Sequence, residues 1–175
     1  MPLSLFGGAI TADAPLNLLD ASDVRQVPDT QEVFLFPDSS VSIIVEILER
    51  VEPNQYEDAI KFHFDSLAHD NNAVFGQIES VSVIANDRGD KTPSAITLSG
   101  VQRVQKFNRT QPDEVKILMA LYRVEEKAID LVVTFNVPVI AEDGGAVGPD
   151  GLEVSKEQFD TFVRSVRIVD FGLFA

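Results

Sequence analysis

EVKILMALYRV, residues 114–124, and AIDLVVTFNVPV, residues 128–139, decide the fold. Read as a strand, the first puts Val115, Ile117, Met119 and Leu121 on one face and Leu118, Ala120, Tyr122 and Val124 on the other. The second places Leu131, Val133 and Phe135 on one face and Val132 on the other. Strands that are apolar on both sides need cover on both sides, and helices must supply it.

Working outward, two segments have the period of an amphipathic helix. PNQYEDAIKFHFDSLAHD (53–70) lines up Tyr56, Ala59, Ile60, His63, Phe64 and Leu67 at spacings of three and four. Pro53 suits its first turn. SKEQFDTFVRSVRI (155–168) repeats the pattern with Phe159, Phe162, Val163 and Val166, and Ser155 with Gln158 reads as a capping box at its start. The remaining segments are strand-like: LFGGAITADAP as a hairpin turning at Gly7-Gly8, then VFLF (33–36), VSIIVEILERV (41–51), QIESVSVIA (77–85) and AITLSGVQRVQKF (95–107). DRGD (87–90) and residues 108–113 read as loops. Most connections are too short for a parallel crossover. The expectation is one α+β domain over residues 1–175, with a mainly antiparallel central sheet and helices on both of its faces.

Composition narrows the function. The chain has no cysteine, which removes disulfides, thiolate metal sites and cysteine nucleophiles. No apolar run has a membrane-spanning length, and MPLSLFGGAITADAP lacks the basic start and long apolar run of a signal peptide. Cytosol or nucleus is therefore expected, with no membrane partner. The formal net charge is −14. It is concentrated in residues 1–60, where Arg25 and Arg50 are the bases among many acids. Such a face repels phosphate backbones, so direct nucleic-acid binding is not expected. It attracts a basic protein surface and speeds encounter with one.

The motifs of covalent chemistry are missing. AEDGGAVGPDG (141–151) is glycine-rich but lacks the Gly-Lys-Ser/Thr ending of a phosphate loop, and reads as a linker. His63 and His69 lie six residues apart, on different sides of a helix, and His63 sits on the apolar stripe, as a packed core histidine does. There is no Gly-x-Ser-x-Gly elbow. DNN (70–72) opens like a calcium loop that the following residues break. A glycosidase carboxylate pair would want an aromatic cleft that a chain without tryptophan supplies poorly. Neither a cofactor, a metal nor an enzymatic reaction is expected.

Two acidic features remain. DASDVRQVPDTQEVF (20–34) carries Asp20, Asp23, Asp29 and Glu32 beside Arg25. SIIVEILE (42–49) sets Glu46 and Glu49 among apolar strand residues, where a carboxylate is costly unless solvated or paired. Arg25 is the expected brace for Glu46. The other reading places Glu46 and Glu49 on a rim near residues 20–34 that meets a basic partner.

LFGGAI (5–10), DAS (20–22), Arg25, VPDTQEVF (27–34) and SIIVEILE (42–49), in this order, resemble the Ran guanine nucleotide release factor family. FHF (62–64), Leu131 to Pro138 and the closing FGLFA (171–175) extend the resemblance more thinly. It implies a three-layer α/β/α sandwich whose antiparallel sheet has about six strands. It also implies binding to the small GTPase Ran, release of its guanine nucleotide, and a part in nuclear protein import, in nucleus and cytoplasm but mainly the nucleus. A second Ran-binding protein is a further partner of this kind. Carried over by position, Asp20, Asp29, Glu32, Glu46 and Glu49 are the partner-binding acids, with Arg25 beside them. A non-catalytic adaptor that binds Ran or another basic protein is the alternative.

Overall fold

The structure is a computed structural model covering all 175 residues. In chain order its elements are β1 (Pro2–Leu5), β2 (Ile10–Asp13), β3 (Leu19–Asp20), β4 (Gln31–Leu35), β5 (Ser42–Glu49), α1 (Tyr56–Asp70), β6 (Ala73–Ile84), β7 (Ala95–Val104), β8 (Asp113–Val124), β9 (Ile129–Ile140), α2 (Pro149–Ser165) and β10 (Arg167–Ile168). The two decisive segments, β8 and β9, pair antiparallel, with Leu118 opposite Phe135 and Arg123 opposite Asp130. Their connection is a 3₁₀ turn over Glu125–Lys127, closed by Ala128 in the left-handed region at φ 52°. Around them the sheet runs β3-β4-β5-β9-β8-β7-β6, seven strands, every pair antiparallel.

Alternation along β8 feeds two separate cores. Leu118, Ala120, Tyr122 and Val124 join Phe159, Phe162, Val163 and Val166 from α2 and its end. Val115, Ile117, Met119 and Leu121 join Ala59, Ile60 and Phe64 of α1. In the first core, Phe135 meets Phe159 and Phe162 edge-on, at centroid distances of 5.3 and 5.7 Å. Each buried phenylalanine of this kind contributes about 1.5–3 kcal/mol. The Tyr122 hydroxyl, buried with them, donates to the Val163 carbonyl at 2.5 Å. Burial pushes its pKa well above the ordinary range.

In the second core Phe64 lies against Gly100 of β7. A Cβ at Gly100 would stand 2.8 Å from both the Phe64 ring and the Gln77 carbonyl oxygen. Only glycine lets the helix approach the sheet this closely.

Several boundaries depart from the sequence reading. The Gly7-Gly8 hairpin forms, as a 3₁₀ turn over Phe6–Gly8. Its strands β1 and β2 build a separate three-stranded sheet with β10. Leu5, Ile10 and Ala12 of that sheet belong to the α2-side core, so α2 does not cover this face alone. Helix α1 starts at Tyr56, beyond Pro53, whose carbonyl accepts from Arg123 Nη1 at 2.7 Å. Helix α2 starts at Pro149, inside the stretch read as a linker. Ser155 is therefore a buried residue of the helix and not its cap. Proline is pre-organised for a first helical turn, which is why Gly148-Pro149 opens the helix. At its other end Arg88, from the DRGD loop, donates to the carbonyls of Arg164 and Val166 at 3.0 and 2.7 Å. Neither helix is long and apolar enough to cross a membrane.

Candidate partner-binding edge

Residues 20–34 form the β3–β4 border of the large sheet. Asp20 ends β3 and caps a 3₁₀ turn, accepting from the Ser22 N–H at 2.9 Å and the Ser22 hydroxyl at 2.7 Å. The buried Ala21 pins that turn, and the amides of Val24 and Arg25 donate to its carbonyl. Gln31 N–H donates to the Pro28 carbonyl at 3.0 Å, which leaves Asp29 and Thr30 at the corner of a tight turn. Arg25 and Asp29 are exposed.

Glu32 and Glu46 flank this border from different faces. Glu32 sits opposite Val45, whose side chain enters the α2-side core. Its Oε1 accepts the backbone N–H of Phe6 at 2.8 Å, tying the edge to the Gly7-Gly8 turn. Glu46 sits opposite Gln31 and between strand neighbours on the α1 side, and its Oε2 accepts from Gln31 Nε2 at 2.9 Å. The expected Arg25–Glu46 brace does not form, and Arg25 takes part in no ion pair. The physical reason is register: Gln31, directly across the ladder, reaches the carboxylate first, while Arg25 lies in the exposed connection after the Ala21 turn. Glu49 closes β5 and is exposed. Glu32 and Glu46 thus lie on opposite faces of the sheet, and Glu46 and Glu49 belong to the inner strand β5 rather than to its β3–β4 edge.

Beside the border, α1 and strands β5, β8 and β9 enclose a groove of about 290 Å³. Glu46, Glu49 and Asp70 stand on it, with Leu48, Leu67 and Met119 among its apolar walls.

A family model described as "Ran-interacting Mog1 protein" matches residues 3–138. The chain belongs to the Mog1 family. It is 33% identical to the Ran guanine nucleotide release factor of Danio rerio, over 99% of this chain and 100% of that one. With the human Ran guanine nucleotide release factor it shares 34% identity, over 97% of this chain and 94% of the other. The nuclear import protein mog1 of Schizosaccharomyces pombe is 30% identical over 99% and 100%. Among solved structures, the Saccharomyces cerevisiae Ran-binding protein Mog1p superposes with a TM-score of 0.76 at 27% identity, covering 100% of this chain and 98% of that one. The Mog1 family model ends before α2, yet the relatives match along nearly the whole chain, so the helix that completes the first core belongs to the shared fold.

The structure also carries a buried ionic cluster that sequence reading missed. Arg123 and Asp130, 1% and 0% exposed, face each other across the β8–β9 ladder. Arg123 Nε donates to Asp130 Oδ1 at 2.8 Å and Nη2 to Oδ2 at 3.0 Å. His63 Nε2 lies 2.8 Å from Asp130 Oδ2, and the Val51 amide donates to the same oxygen at 3.3 Å. Burial works to raise the Asp130 pKa; the hydrogen bonds from His63, Arg123 and Val51 outweigh it and hold the carboxyl down at about 2. His63 is the packed core histidine its position on the apolar stripe predicts. The available signal was an arginine and an aspartate placed symmetrically about a short turn between two apolar runs. That pattern puts opposite charges on facing positions of a hairpin.

Proposed function

We propose that this protein binds the small GTPase Ran through its acidic border and promotes release of the bound guanine nucleotide, in support of nuclear protein import. The observation that carries the reading is the β3–β4 border itself: Asp29 stands free at a turn whose backbone is hydrogen-bonded on both sides, next to Glu32 and Glu46 held in fixed positions. The names of the family relatives point the same way. We assign the partner surface to Asp20, Arg25, Asp29, Glu32, Glu46 and Glu49, and the sites of action to nucleus and cytoplasm, mainly the nucleus. A second Ran-binding protein can join the complex from the faces left open. The scaffold is read as a three-layer sandwich, which gives the border the rigidity that selective binding needs.

No covalent step is required. A GTPase holds its nucleotide through a lysine-bearing phosphate loop and Mg²⁺. A protein that binds the empty or metal-free form more tightly weakens the nucleotide by linkage, and equal affinity for both forms shifts nothing. A coupling of about 4 kcal/mol corresponds to about a thousandfold loss of nucleotide affinity. Rigid carboxylates suit the task because they pair with basic groups exposed when the phosphates leave.

The test loads Ran with a fluorescent guanine nucleotide and follows release on adding this protein. Accelerated release that disappears in Asp29→Lys supports the reading. Tight binding with unchanged release makes the protein an adaptor, and absence of binding removes Ran as the partner.

A further inference from the structure

We propose that the end of β7 and the loop after it form a second docking surface, which receives a segment of another protein in which acidic and apolar residues alternate. The inference goes beyond the Ran reading and does not depend on it, because it concerns the opposite edge of the large sheet.

Charge sets this region apart. From Lys91 to Pro112 the chain has no acid and holds Lys91, Arg103, Lys106 and Arg109, in a protein whose net charge is −14. The ladders set Phe75, Arg103, Glu114 and Ile140 in one row across β6, β7, β8 and β9, about 14 Å from end to end. Gly100 and Gln102 face Phe64 of α1, so alternation turns Arg103 and its row to the other face. The core on that face takes only Ile84 from β6 and Ala95 from β7. Phe75 and Ile140 are therefore left exposed.

Arg103 is shaped to hold a carboxylate. Its guanidinium lies over the Phe75 ring, with Cζ 4.7 Å from the centroid, and its Nε donates to Glu114 at 3.3 Å. Those two contacts fix the plane of the group and leave both Nη atoms without a protein acceptor. Such a fork pairs with a carboxylate through two parallel hydrogen bonds.

Phe107 supplies the anchor. It is 91% exposed in the β7–β8 connection, yet the loop around it is tied down. Arg109 Nη2 donates to Asp143 at 3.2 Å, and the Thr110 hydroxyl and Gln111 N–H both donate to Glu142 Oε1, at 2.6 and 2.7 Å. Gln105 Nε2 donates to the Arg109 carbonyl at 2.9 Å. Asn108 turns the chain at φ 70°, in the left-handed region that asparagine tolerates. The nearby acids Glu142 and Asp143 are thus engaged in holding the loop. A ring displayed on a braced loop needs little further ordering when a partner covers it, and aromatic residues with arginine are what interface cores are enriched in. With Phe75, Ile140 and Phe107 around it, the Arg103 fork selects alternating acidic and apolar side chains. A nucleic acid could stack a base on Phe107, but its unbroken row of phosphates would run against the net charge of the chain.

The experiment uses the full chain, without Ran, and three fluorescein-labelled probes followed by anisotropy. They are a nonapeptide alternating glutamate and leucine, the same peptide with lysine for glutamate, and an oligothymidylate of similar length. Phe107→Ser and Arg103→Gln are each expected to weaken the glutamate peptide about tenfold. Arg103→Lys keeps the charge but loses the fork, and should still cost about fivefold. Lys156→Gln removes a positive charge on α2 and should cost less than about twofold. Lys106 is left intact because it pairs with the buried Asp113. The lysine peptide should not be weakened by any of these changes, and thermal melts check each variant's fold. Failure of the glutamate peptide to bind, or equal losses from Arg103→Gln and Lys156→Gln, overturns the proposal. Thymidylate that binds more tightly than the glutamate peptide, and is lost in Phe107→Ser, gives the surface to nucleic acid and overturns it equally. Nucleotide release from Ran is a separate assay, so either reading can fail while the other stands.

Discussion

Arg123 and Asp130 meet across the β8–β9 ladder with Nε and Oδ1 2.8 Å apart, and neither side chain reaches solvent. Breaking such a pair from one side strands the other charge in the interior, which costs about 3–5 kcal/mol. Arg123→Met is the harsher change, because it also frees the Pro53 carbonyl. Asp130→Asn keeps the shape but cannot balance the guanidinium. Urea denaturation should show both variants destabilised by about 3–5 kcal/mol with unchanged m-values. A loss below about 1 kcal/mol in Asp130→Asn would mean that the cluster contributes little net stability.

The same carboxylate sets an acid limit. Its folded pKa, about 2, lies below the ordinary aspartate value. A depressed carboxylate contributes stability that is fully present above its unfolded pKa of about 4 and lost as pH falls through the folded value. The stability gap between the native protein and Asp130→Asn should therefore be constant from pH 7 down to about 4 and close progressively toward pH 2. Denaturation curves at stepped pH measure it. A gap that widens on acidification would show that the carboxylate is not held in its charged form.

How much of this was legible in the sequence depends on what each residue's partner is. The two-faced pattern of β8 and β9 is local, so it foretold the sheet and the need for cover on both sides. The stripe from Phe159 to Val166 likewise marks the buried face of α2. Registers are not local. The pairing of Gln31 with Glu46 depends on the turn that joins β4 to β5, and nothing in either strand alone shows that a neutral amide, not Arg25, meets the carboxylate. The third strand of the small sheet comes from the other end of the chain, at residues 167–168, beyond any window of periodicity. The α2 start was readable: proline at the first helical position is a recognised signal, obscured here by its glycine neighbours.

Gly100 carries a prediction that owes nothing to charge. With Phe64 and the Gln77 carbonyl at 2.8 Å from any added Cβ, Gly100→Ala must push α1 away from the sheet or twist the Phe64 ring off its rotamer. Overpacking of this sort costs about 1–3 kcal/mol. Combining it with Phe64→Leu should recover part of the loss, since the clash is with the ring and the two sites touch. Thermal melts of the single and double variants give the coupling. Strict additivity would place the cost at the Gln77 carbonyl of β6 rather than at the ring.

Glu32 and Asp29 separate architecture from recognition. Glu32 accepts the Phe6 amide at 2.8 Å and is half-buried, so Glu32→Ala leaves that donor unpaired at a cost of about 1–3 kcal/mol. Glu32→Gln keeps an acceptor oxygen and should retain most of the stability while removing the charge. Asp29 touches no other side chain through a hydrogen bond or ion pair, and exposed substitutions of this type stay within about 0.5 kcal/mol. Denaturation and Ran-release assays on the same three variants therefore sort the border into roles. Asp29→Lys should lose release at native stability, and Glu32→Gln should lose release with a small stability change. Glu32→Ala should lose both. If Glu32→Gln releases nucleotide as fast as the native protein, the Glu32 charge serves only the contact with Phe6, and recognition at this border falls to Asp29 and its exposed neighbours.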